Sequence, residues 1–425
     1  MDAAVVELRK AKGQGMKPPN VLVLAIDSLR ADAVFDEEVA TPTFDRLART
    51  GVSFRQAVCT ATTTTPSFSS MLTGCYPPRH GVRGLQGYRL SQTVTTMAET
   101  FAQAGYRCYA EVTGPLLPET GILRGFHEAR CRQAYKVPFF YWREEIISKM
   151  HSYAEPWFML LHIWEVHRPY RSPPNFEKRK DKAGYQAAVH ATDEWLAPVF
   201  EAAGDDPIIA VTGDHGEQYP SSPLQFQTLR VARRSRRTFR LGKWLPYLDN
   251  RFAGLEIGHG FALHEELVRV PLILSGPRIA NGKRVDDQVR HIDLLPTLAD
   301  LCGTPSPENI DGRSLRPFLD GAALPEEPAY MEAVGVKLGG DRIVGVRTPE
   351  WKLLKTPGGR KTLHRLNPGG APDERHNYAR KEPAVIRRLD DYIGRVESTG
   401  VVAESGMTSD EEATVEQHLR DLGYL

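Results

Sequence analysis

The sequence predicts an α/β protein with a mixed, largely parallel central sheet flanked by helices, followed by a small C-terminal α+β domain. Four apolar runs without polar/apolar alternation are typical of strands buried on both faces of a sheet. They lie at residues 20–26, 157–162, 207–212 and 270–274. Helical patterns at residues 43–50 and 93–104 fall between such runs. Strands that alternate with helices indicate a layered α/β domain.

The C-terminal part has a different pattern. Short alternating runs at residues 342–348 and 351–355 indicate an antiparallel sheet, and residues 384–397 indicate a helix. We therefore predict four units along the chain. They are an N-terminal tail (1–18), a large α/β domain (19–320), a small α+β subdomain (321–400), and an acidic tail with a terminal helix (401–425).

Composition excludes several classes of function. The 54 Lys and Arg residues against 53 Asp and Glu residues give a net charge of +1, so no global field attracts nucleic acid or an anionic membrane. The five cysteines are scattered singly, which disfavours a disulfide framework or a cysteine zinc site. The sequence contains no apolar run of the roughly 18 residues that a membrane span needs. The polar N-terminus lacks the apolar core of a secretory signal, so we expect a cytoplasmic protein.

Ligand-type residues follow two of the predicted strands. Asp27 comes directly after the run at residues 20–26, and Asp214 and His215 follow the run at residues 207–212. Polar residues at the carboxyl ends of such strands are where active sites of open α/β sheets gather. An aspartate alone is typical of a helix cap, but two carboxylates and an imidazole suit a divalent cation: Mn, Zn, Ca or Mg. The sequence therefore predicts a metal site formed by Asp27, Asp214 and His215.

Hydroxyl groups are concentrated between residues 59 and 74, in CTATTTTPSFSSMLTG. Four consecutive threonines precede Pro66 and a helix-like segment, which places hydroxyls at a helix N-terminus, where an anion is favoured. A Ser/Thr-rich loop with an ordinary N-cap gives the same pattern. The residues alone leave both interpretations open.

Six segments in this order resemble the sulfatase family of the alkaline phosphatase superfamily. They are NVLVLAIDSLRAD, TPTFDRLARTGVSFRQA, TTTPSFSSMLTGCYPPRHGV, VTGDHGE, HGFALHEELVRVPLIL and VRHIDLLPTLADLCG. GVRTPEWKLL and LRDLGYL also resemble that family's small C-terminal domain. The resemblance implies an alkaline phosphatase-like sandwich and metal-dependent ester hydrolysis.

The chain departs from that family at four positions. Sulfatases that it resembles have Cys-x-Pro-Ser-Arg, whose cysteine or serine is oxidised to formylglycine, whereas the same register here starts at Thr64 and ends at Phe68. Threonine cannot become formylglycine, and the arginine that would support that group is absent. The Gly-Lys signature falls in EVTGPLL, which has no lysine, and the second acid of the Asp-Asp pair is Ser28.

A threonine nucleophile beside Asp27, Asp214 and His215 resembles the phosphodiesterases and the phosphoglycerol or phosphoethanolamine transferases of the superfamily. We therefore predict a hydrolase that cleaves a phosphate diester, a phosphonate or a related ester through Thr64 and a covalent phosphothreonine. Thr63 and Thr65 are the fallback nucleophiles. The predicted substrate is an ester of a small molecule, a glycan or a lipid headgroup. The alternatives are a sulfuric ester hydrolase, a phosphotransferase with an alcohol acceptor, and a non-catalytic anion-binding member.

Several histidines match family segments. The resemblance assigns His167 and His259 to the transferred or leaving group, since an imidazole titrates near neutral pH. We interpret His80 and His291 as supporting or packing residues. His162 and Glu165 could help to bind a second metal, but HIWEVH does not reproduce the Asp-x-x-x-His pair of two-metal relatives, so one metal is expected.

A basic insertion occupies residues 219–258 and contains seven Arg and Lys residues between positions 230 and 243. A solvated surface loop is one interpretation. Its position between Asp214 and His259 also suggests a clamp for an anionic substrate. The sequence does not indicate an oligomeric state.

Overall fold

The computed structural model of the chain describes residues 17–425 except positions 37, 134–135, 174, 176, 220–257, 278, 335–341, 367–373, 375 and 402–405. Most of the predicted basic insertion, including its Arg and Lys residues, therefore lies outside the described residues.

An eight-stranded mixed sheet forms the centre of the molecule. Its strands are β1 (Val21–Ile26), β2 (Gly51–Val58), β3 (Arg107–Val112), β4 (Glu128–Cys131), β5 (Trp157–Ile163), β8 (Ile208–Gly213), β9 (Arg269–Ser275) and β10 (Lys283–Arg290). Their spatial order is β10-β2-β9-β8-β1-β5-β3-β4. Strands β6 (Tyr170–Ser172) and β7 (Glu177–Arg179) form a separate two-stranded sheet.

Helices cover both faces of the large sheet. The helices that precede β8 in the sequence are α1 (Ala31–Phe35), α2 (Pro42–Arg49), α3 (Thr64–Thr73), α4 (Pro77–His80), α5 (Met97–Gln103), α6 (Arg143–Met150) and α7 (Lys182–Ala202). Helices α8 (Glu265–Val268), α9 (Leu294–Leu301) and α10 (Arg316–Leu319) follow. Short 3₁₀ turns occur at Pro118–Thr120, Phe139–Tyr141 and His291–Asp293.

Strand β1 explains why the apolar runs lack alternation. All six of its residues are buried, and alternate side chains enter two different cores. Val21 and Val23 pack with residues of α3, α5 and α9, whereas Leu22 and Leu24 pack with residues of α1, α2, α6 and α7. A strand covered on both faces has no solvent side on which to place polar residues.

A four-stranded antiparallel sheet forms the C-terminal part, in the order β11-β12-β13-β14. Its strands are β11 (Ala329–Val334), β12 (Arg342–Arg347), β13 (Trp351–Lys355) and β14 (Lys361–Arg365). Helix α11 (Pro383–Ser398) packs on it through Leu389, Ile393 and Val396. The chain ends with helix α12 (Ser409–Leu422), whose Val415 and Leu419 are buried.

The predicted fold class is confirmed: the sheet is mixed and largely parallel, and an antiparallel C-terminal sheet accompanies it. One element differs from its prediction. The run at residues 270–274 forms β9, which pairs antiparallel with both β2 and β8. An apolar run indicates burial on both faces but not strand direction. Among the described helices, none combines the length and apolarity needed to cross a membrane.

Candidate active site

Two carboxylates meet at one edge of the large sheet. Asp27 follows β1 and Asp214 follows β8, and these strands pair in parallel with Ile26 opposite Gly213. Both side chains are fully buried. Because parallel strands end at the same edge, the topology brings the two acids together as the sequence predicted.

Ser28 positions both acids. Its backbone N–H donates to Asp214 Oδ1 at 3.0 Å, and its hydroxyl donates to Asp27 Oδ1 at 2.8 Å. The backbone of Ser28 is in the left-handed region, with φ 62°. The Tyr185 hydroxyl donates to the Ser28 carbonyl oxygen at 2.9 Å and thereby supports this turn. The residue that replaces the second acid thus orients the first acid and its partner.

His162 completes the cluster. It lies on β5 opposite Ala25 of β1, and its Nε2 is 3.6 Å from Asp27 Oδ2. Its Nδ1 lies 3.1 Å from the carbonyl oxygen of Thr113. Because a carbonyl oxygen only accepts, Nδ1 carries the hydrogen and Nε2 presents a lone pair. Candidate ligand atoms of Asp27, His162 and Asp214 all lie within 4.8 Å of one another.

The cluster fits a divalent cation. His162 Nε2 and Asp214 Oδ2 are buried and have no hydrogen-bond partner among the described residues. Burial and the nearby carboxylate of Asp214 raise the pKa of Asp27 well above its ordinary value, and burial lowers the pKa of His162 to about 4. Two carboxylates and a neutral imidazole that are buried together form a donor set that a divalent cation would stabilise.

His215 lies beside the cluster. Its Nε2 is 3.4 Å from Asp214 Oδ2 and 3.5 Å from Thr64 Oγ1. Its Nδ1 lies 2.9 Å from the Gly216 carbonyl oxygen, so Nδ1 carries the hydrogen here too. The Nε2 lone pair therefore faces the predicted metal site and nucleophile, and the ligand role of His215 stays a prediction.

Helix α3 presents Thr64 to the carboxylates. Thr64 is the first residue of α3, and its hydroxyl donates to Asp27 Oδ2 at 3.2 Å. The Thr65 hydroxyl instead donates to the Pro115 carbonyl oxygen at 3.0 Å, and Thr63 is the N-cap residue without a side-chain capping bond. Among the three candidate nucleophiles, Thr64 is the one that the fold aims at the cluster.

Two positions at which this chain lacks the family's usual residues contact His162 instead. The ring of Phe68 packs edge-on against His162, with centroids 4.9 Å apart. The segment with no lysine supplies Thr113, whose hydroxyl lies 2.8 Å from His162 Nδ1. The substitutions thus surround an imidazole rather than a formylglycine.

His167 and His259 lie next to the cluster. The rings of His259 and His215 are 4.3 Å apart between centroids, and those of His259 and His167 are 5.0 Å apart. Burial, followed by the neighbouring His215 and Arg168, holds the pKa of both His167 and His259 well below the ordinary value. Both Nε2 atoms approach the hydroxyl of Tyr424, at 3.0 Å from His167 and 3.2 Å from His259. Sequence reasoning missed Tyr424.

The remaining predicted residues have separate partners. His80 Nε2 lies 2.9 Å from Ser70 Oγ, and His291 Nε2 lies 2.9 Å from Thr212 Oγ1. Such bonds suit the supporting roles expected of these two histidines. Glu165 accepts from the backbone N–H of Phe139, and burial raises its pKa to about 7. Glu165 is not part of the ligand cluster, whereas His162, which the sequence suggested only as a helper for a second metal, is part of it.

Comparison with known proteins identifies relatives. A family model described as Sulfatase matches residues 19–304, and one described as N-sulphoglucosamine sulphohydrolase, C-terminal, matches residues 259–393. The chain is 24% identical over 356 residues to the uncharacterized sulfatase YidJ of Escherichia coli (strain K12), with 71% of each protein covered.

Solved structures share the fold. BT1596, a 2-O GAG sulfatase, superposes with a TM-score of 0.67 at 21% identity, over 90% of this chain and 93% of that one. The phosphonate monoester hydrolase of Agrobacterium radiobacter superposes with a TM-score of 0.69 at 17% identity, over 90% of this chain and 96% of that one. The Sulfatase family model, which spans more than half of the sequence, shows that the chain belongs to the sulfatase family.

Proposed function

We propose that this sulfatase-family hydrolase cleaves a phosphate diester or a phosphonate monoester, with Thr64 as nucleophile. The observation that supports this most is the position of the Thr64 hydroxyl, 3.2 Å from Asp27 Oδ2 and 3.5 Å from His215 Nε2. At this register the chain has no residue that can become formylglycine. A hydroxyl nucleophile of this kind transfers a phosphoryl group by forming a covalent ester.

Asp27, His162 and Asp214 would hold the metal, with His215 beside them. When bound, a divalent cation neutralises charge on the ester oxygens and lowers the pKa of a neighbouring hydroxyl. Thr64 Oγ1 forms the new bond to phosphorus, and the bond from phosphorus to the alcohol oxygen breaks. The Thr64 proton ends on the departing alcohol. Water then cleaves the phosphothreonine, returning one proton to Thr64 and leaving a hydroxyl on phosphorus.

Neighbouring side chains support each of these steps. Ser28 and Thr113 fix the orientations of Asp27 and His162, so little reorganisation is required as the ester reacts. His167 and His259 are the groups proposed to contact the transferred anion or the leaving oxygen. The burial of Thr64, Asp27 and Asp214 excludes bulk water around the nucleophile.

Sulfate ester hydrolysis is the second candidate. Membership of the sulfatase family and similarity to a 2-O GAG sulfatase favour it, and they make a glycan ester a reasonable substrate under either reaction. Similarity to a phosphonate monoester hydrolase favours the first candidate. Phe68 and the lysine-free EVTGPLL segment weigh against sulfate, because both lack cations that sulfatases use at those positions.

A chromogenic panel tests the proposal. Metal-stripped protein is refilled with Mn, Zn, Mg or Ca and assayed on a phosphate monoester, a phosphate diester, a phosphonate monoester and a sulfate monoester. We expect metal-dependent cleavage of the diester or phosphonate that falls at least about 1,000-fold in Thr64→Ala. Thr64→Ser should retain part of the rate, because it keeps the hydroxyl. Thr65→Val is the matched comparison and should stay within a few-fold of wild type.

Either of two results would reject this function. Cleavage of the sulfate ester alone would transfer the assignment to a sulfatase reaction. Full activity in Thr64→Ala, with or without a loss in folded Thr65→Val, would show that Thr64 is not the nucleophile.

A further inference from the structure

Tyr424 occupies the point where two predicted catalytic histidines converge. Its hydroxyl oxygen lies 3.0 Å from His167 Nε2 and 3.2 Å from His259 Nε2. A phenol has one hydrogen, so it donates to one imidazole and accepts from the other. The hydroxyl therefore gives the Nε2 atom of each ring a hydrogen-bond partner.

The same hydroxyl lies near the reacting centre. Burial and the nearby carboxylates of Asp27 and Asp214 raise the pKa of Tyr424 well above its ordinary value. His259, one of its partners, packs against His215, which lies 3.5 Å from Thr64 Oγ1. Tyr424 is thus part of the wall that faces the proposed nucleophile.

The end of α12 directs Tyr424 into the site. Gly423 caps the helix in the left-handed conformation, with φ 85°, and its N–H donates to the Arg420 carbonyl oxygen at 3.0 Å. The N–H of Tyr424 donates to the Leu419 carbonyl oxygen at 2.9 Å. This C-terminal cap turns the chain away from the helix axis toward the two histidines.

Helix α12 is firmly attached to the rest of the protein. Val415 and Leu419 are buried against Leu85 and Leu117. His418 Nε2 lies 2.9 Å from the carbonyl oxygen of Gly114, in the segment that also orients His162. An ion pair of 3.1 Å also joins Arg89 to Glu411. These contacts indicate a fixed wall of the site and disfavour a removable plug.

We propose that Tyr424 is a further substrate-contacting residue, which hydrogen-bonds the transferred anion beside His167 and His259. When an ester binds, an oxygen of its phosphoryl or sulfuryl group accepts from the imidazole N–H that now donates to the Tyr424 oxygen. The phenol O–H then donates to that anion. The proposal rests on the proposed function for the position of the ester, and it extends the active site to the last residues of the chain.

The test compares Tyr424→Phe with full-length wild type, both loaded with metal. Binding of inorganic phosphate and of sulfate is measured by calorimetry, and kcat/KM on the cleaved ester is measured in parallel. Loss of one hydrogen bond to an anion predicts affinity and kcat/KM about 10- to 100-fold lower. The protein should stay folded, because the ring that packs beside α12 is retained, and the thermal unfolding midpoint should fall by no more than a few degrees. Gln417→Ala, on the exposed face of α12, is the control and should match wild type.

A chain ending at Gly423 provides the second variant. We expect it to lose anion affinity and kcat/KM at least as strongly as Tyr424→Phe. Higher affinity or higher activity in either variant would instead identify Tyr424 as an inhibitory plug and overturn the proposal. Unchanged affinity and kcat/KM in Tyr424→Phe would overturn it as well.

The two proposals fail in distinguishable ways. If wild type binds phosphate or sulfate but cleaves no ester, and Tyr424→Phe weakens binding, the contact stands and the proposed reaction fails. If cleavage depends on Thr64 while Tyr424→Phe behaves as wild type, only the contact fails. A wild-type protein that binds neither anion contradicts the contact.

Discussion

Ser28, in place of an acid, changes the charge of the predicted metal site but keeps the two remaining carboxylates oriented. The lost acid removes one negative charge, while the Ser28 hydroxyl and N–H still hold one oxygen of each remaining carboxylate. Asp27 and Asp214 alone balance a divalent cation, and neutral His162 adds a ligand without charge. Outer groups that orient ligands commonly affect metal affinity 10- to 100-fold, as an order of magnitude.

Replacing Ser28 by alanine should therefore weaken metal binding about 10-fold. The variant removes the hydroxyl that donates to Asp27 Oδ1 but retains the backbone bond to Asp214. Calorimetric titration of metal-stripped protein with Mn or Zn measures the change. Ser314→Ala removes a comparable hydrogen bond, to the exposed Asp300, and should bind metal as wild type does. Equal affinity in both variants would mean that Ser28 does not orient a ligand.

His162 should matter more than Ser28 because it offers a lone pair directly. We predict that His162→Ala lowers metal affinity by about 100-fold or more, beyond the range for outer groups. Glu165→Gln should leave affinity unchanged, since Glu165 accepts from the Phe139 backbone and is outside the ligand cluster. The same titration checks both variants. A strong effect of Glu165→Gln with none of His162→Ala would reverse this assignment.

The sequence identified Asp27 and Asp214 because each directly follows a recognisable buried strand. It did not identify His162 as their neighbour, since a histidine inside WFMLLH has the pattern of a core residue. Its proximity to Asp27 depends on the pairing of β5 with β1, which is a long-range property. Tyr424 was missed for the same reason, because it lies 257 positions from His167.

At the scale of elements, glycines allow the Asp214-His215 turn to approach its neighbours closely. A Cβ at Gly213 would lie 2.2 Å from the Leu29 carbonyl oxygen, and one at Gly216 would lie 1.9 Å from the Glu266 carbonyl oxygen. Both obstructing atoms belong to the backbone, so they cannot rotate away. Packing as well as chemistry therefore restricts which residues the VTGDHGE segment can carry.

Gly216→Ala should destabilise the protein by about 1–3 kcal/mol, the usual cost of overpacking. It should also reduce activity, because His215 must shift with the backbone. Gly394, inside α11, is the contrasting position: a Cβ there meets nothing within 4 Å. Gly394→Ala should stabilise the protein by about 0.5–1 kcal/mol through helix propensity. Denaturant unfolding measures both, and a neutral Gly216→Ala would contradict the packing argument.

Element types followed from the sequence more readily than their arrangement. The runs that became β1, β5 and β8 were predicted from apolar character alone, and β9 was recognised as a strand but not as an antiparallel one. The domain boundaries and the cytoplasmic location stay predictions. The proposed clamp role of residues 219–258 also stays untested, because the structure describes little of that segment.

At the scale of the whole molecule, a buried charge cluster joins the two sheets. Glu265 of α8 accepts from Arg347 of β12 at 2.8 Å and from Lys352 of β13 at 3.0 Å. Lys352 is fully buried and also pairs with Glu374. Removing one member of such a cluster leaves an uncompensated buried charge, which is strongly destabilising.

We predict that Glu265→Gln lowers stability at neutral pH by about 3–5 kcal/mol. Denaturant unfolding at pH 7 measures this loss. Asp286→Asn, which removes an exposed ion pair with Arg284, should change stability by less than about 1 kcal/mol. Similar effects of the two substitutions would show that the buried cluster does not stabilise the contact between the sheets.

The same charge cluster predicts that the stability of the folded protein depends on pH. Burial alone would raise the pKa values of both Glu265 and Glu374. Arg347 and Lys352 outweigh burial at Glu265 and hold its pKa well below the ordinary value. Lys352 outweighs burial at Glu374 and lowers its pKa to about 2. Groups with depressed folded-state pKa values stabilise the protein above the ordinary value of 4.5. That stability is lost as pH falls from about 4.5 through 2, and Glu265→Gln should show a shallower loss. A wild-type stability that does not fall in this window would contradict the ion pairs.

The proposed reaction requires Thr64 to form a covalent bond to the transferred group. The most direct measurement is mass spectrometry of the peptide containing Thr64, after rapid acid quenching of the metal-loaded protein during turnover of a phosphate diester or phosphonate. We predict the added mass of the phosphorus-containing group on Thr64 and its absence in Thr64→Ala. A peptide that stays unmodified during turnover, or one modified on Thr63 or Thr65, would rule out Thr64 as the nucleophile.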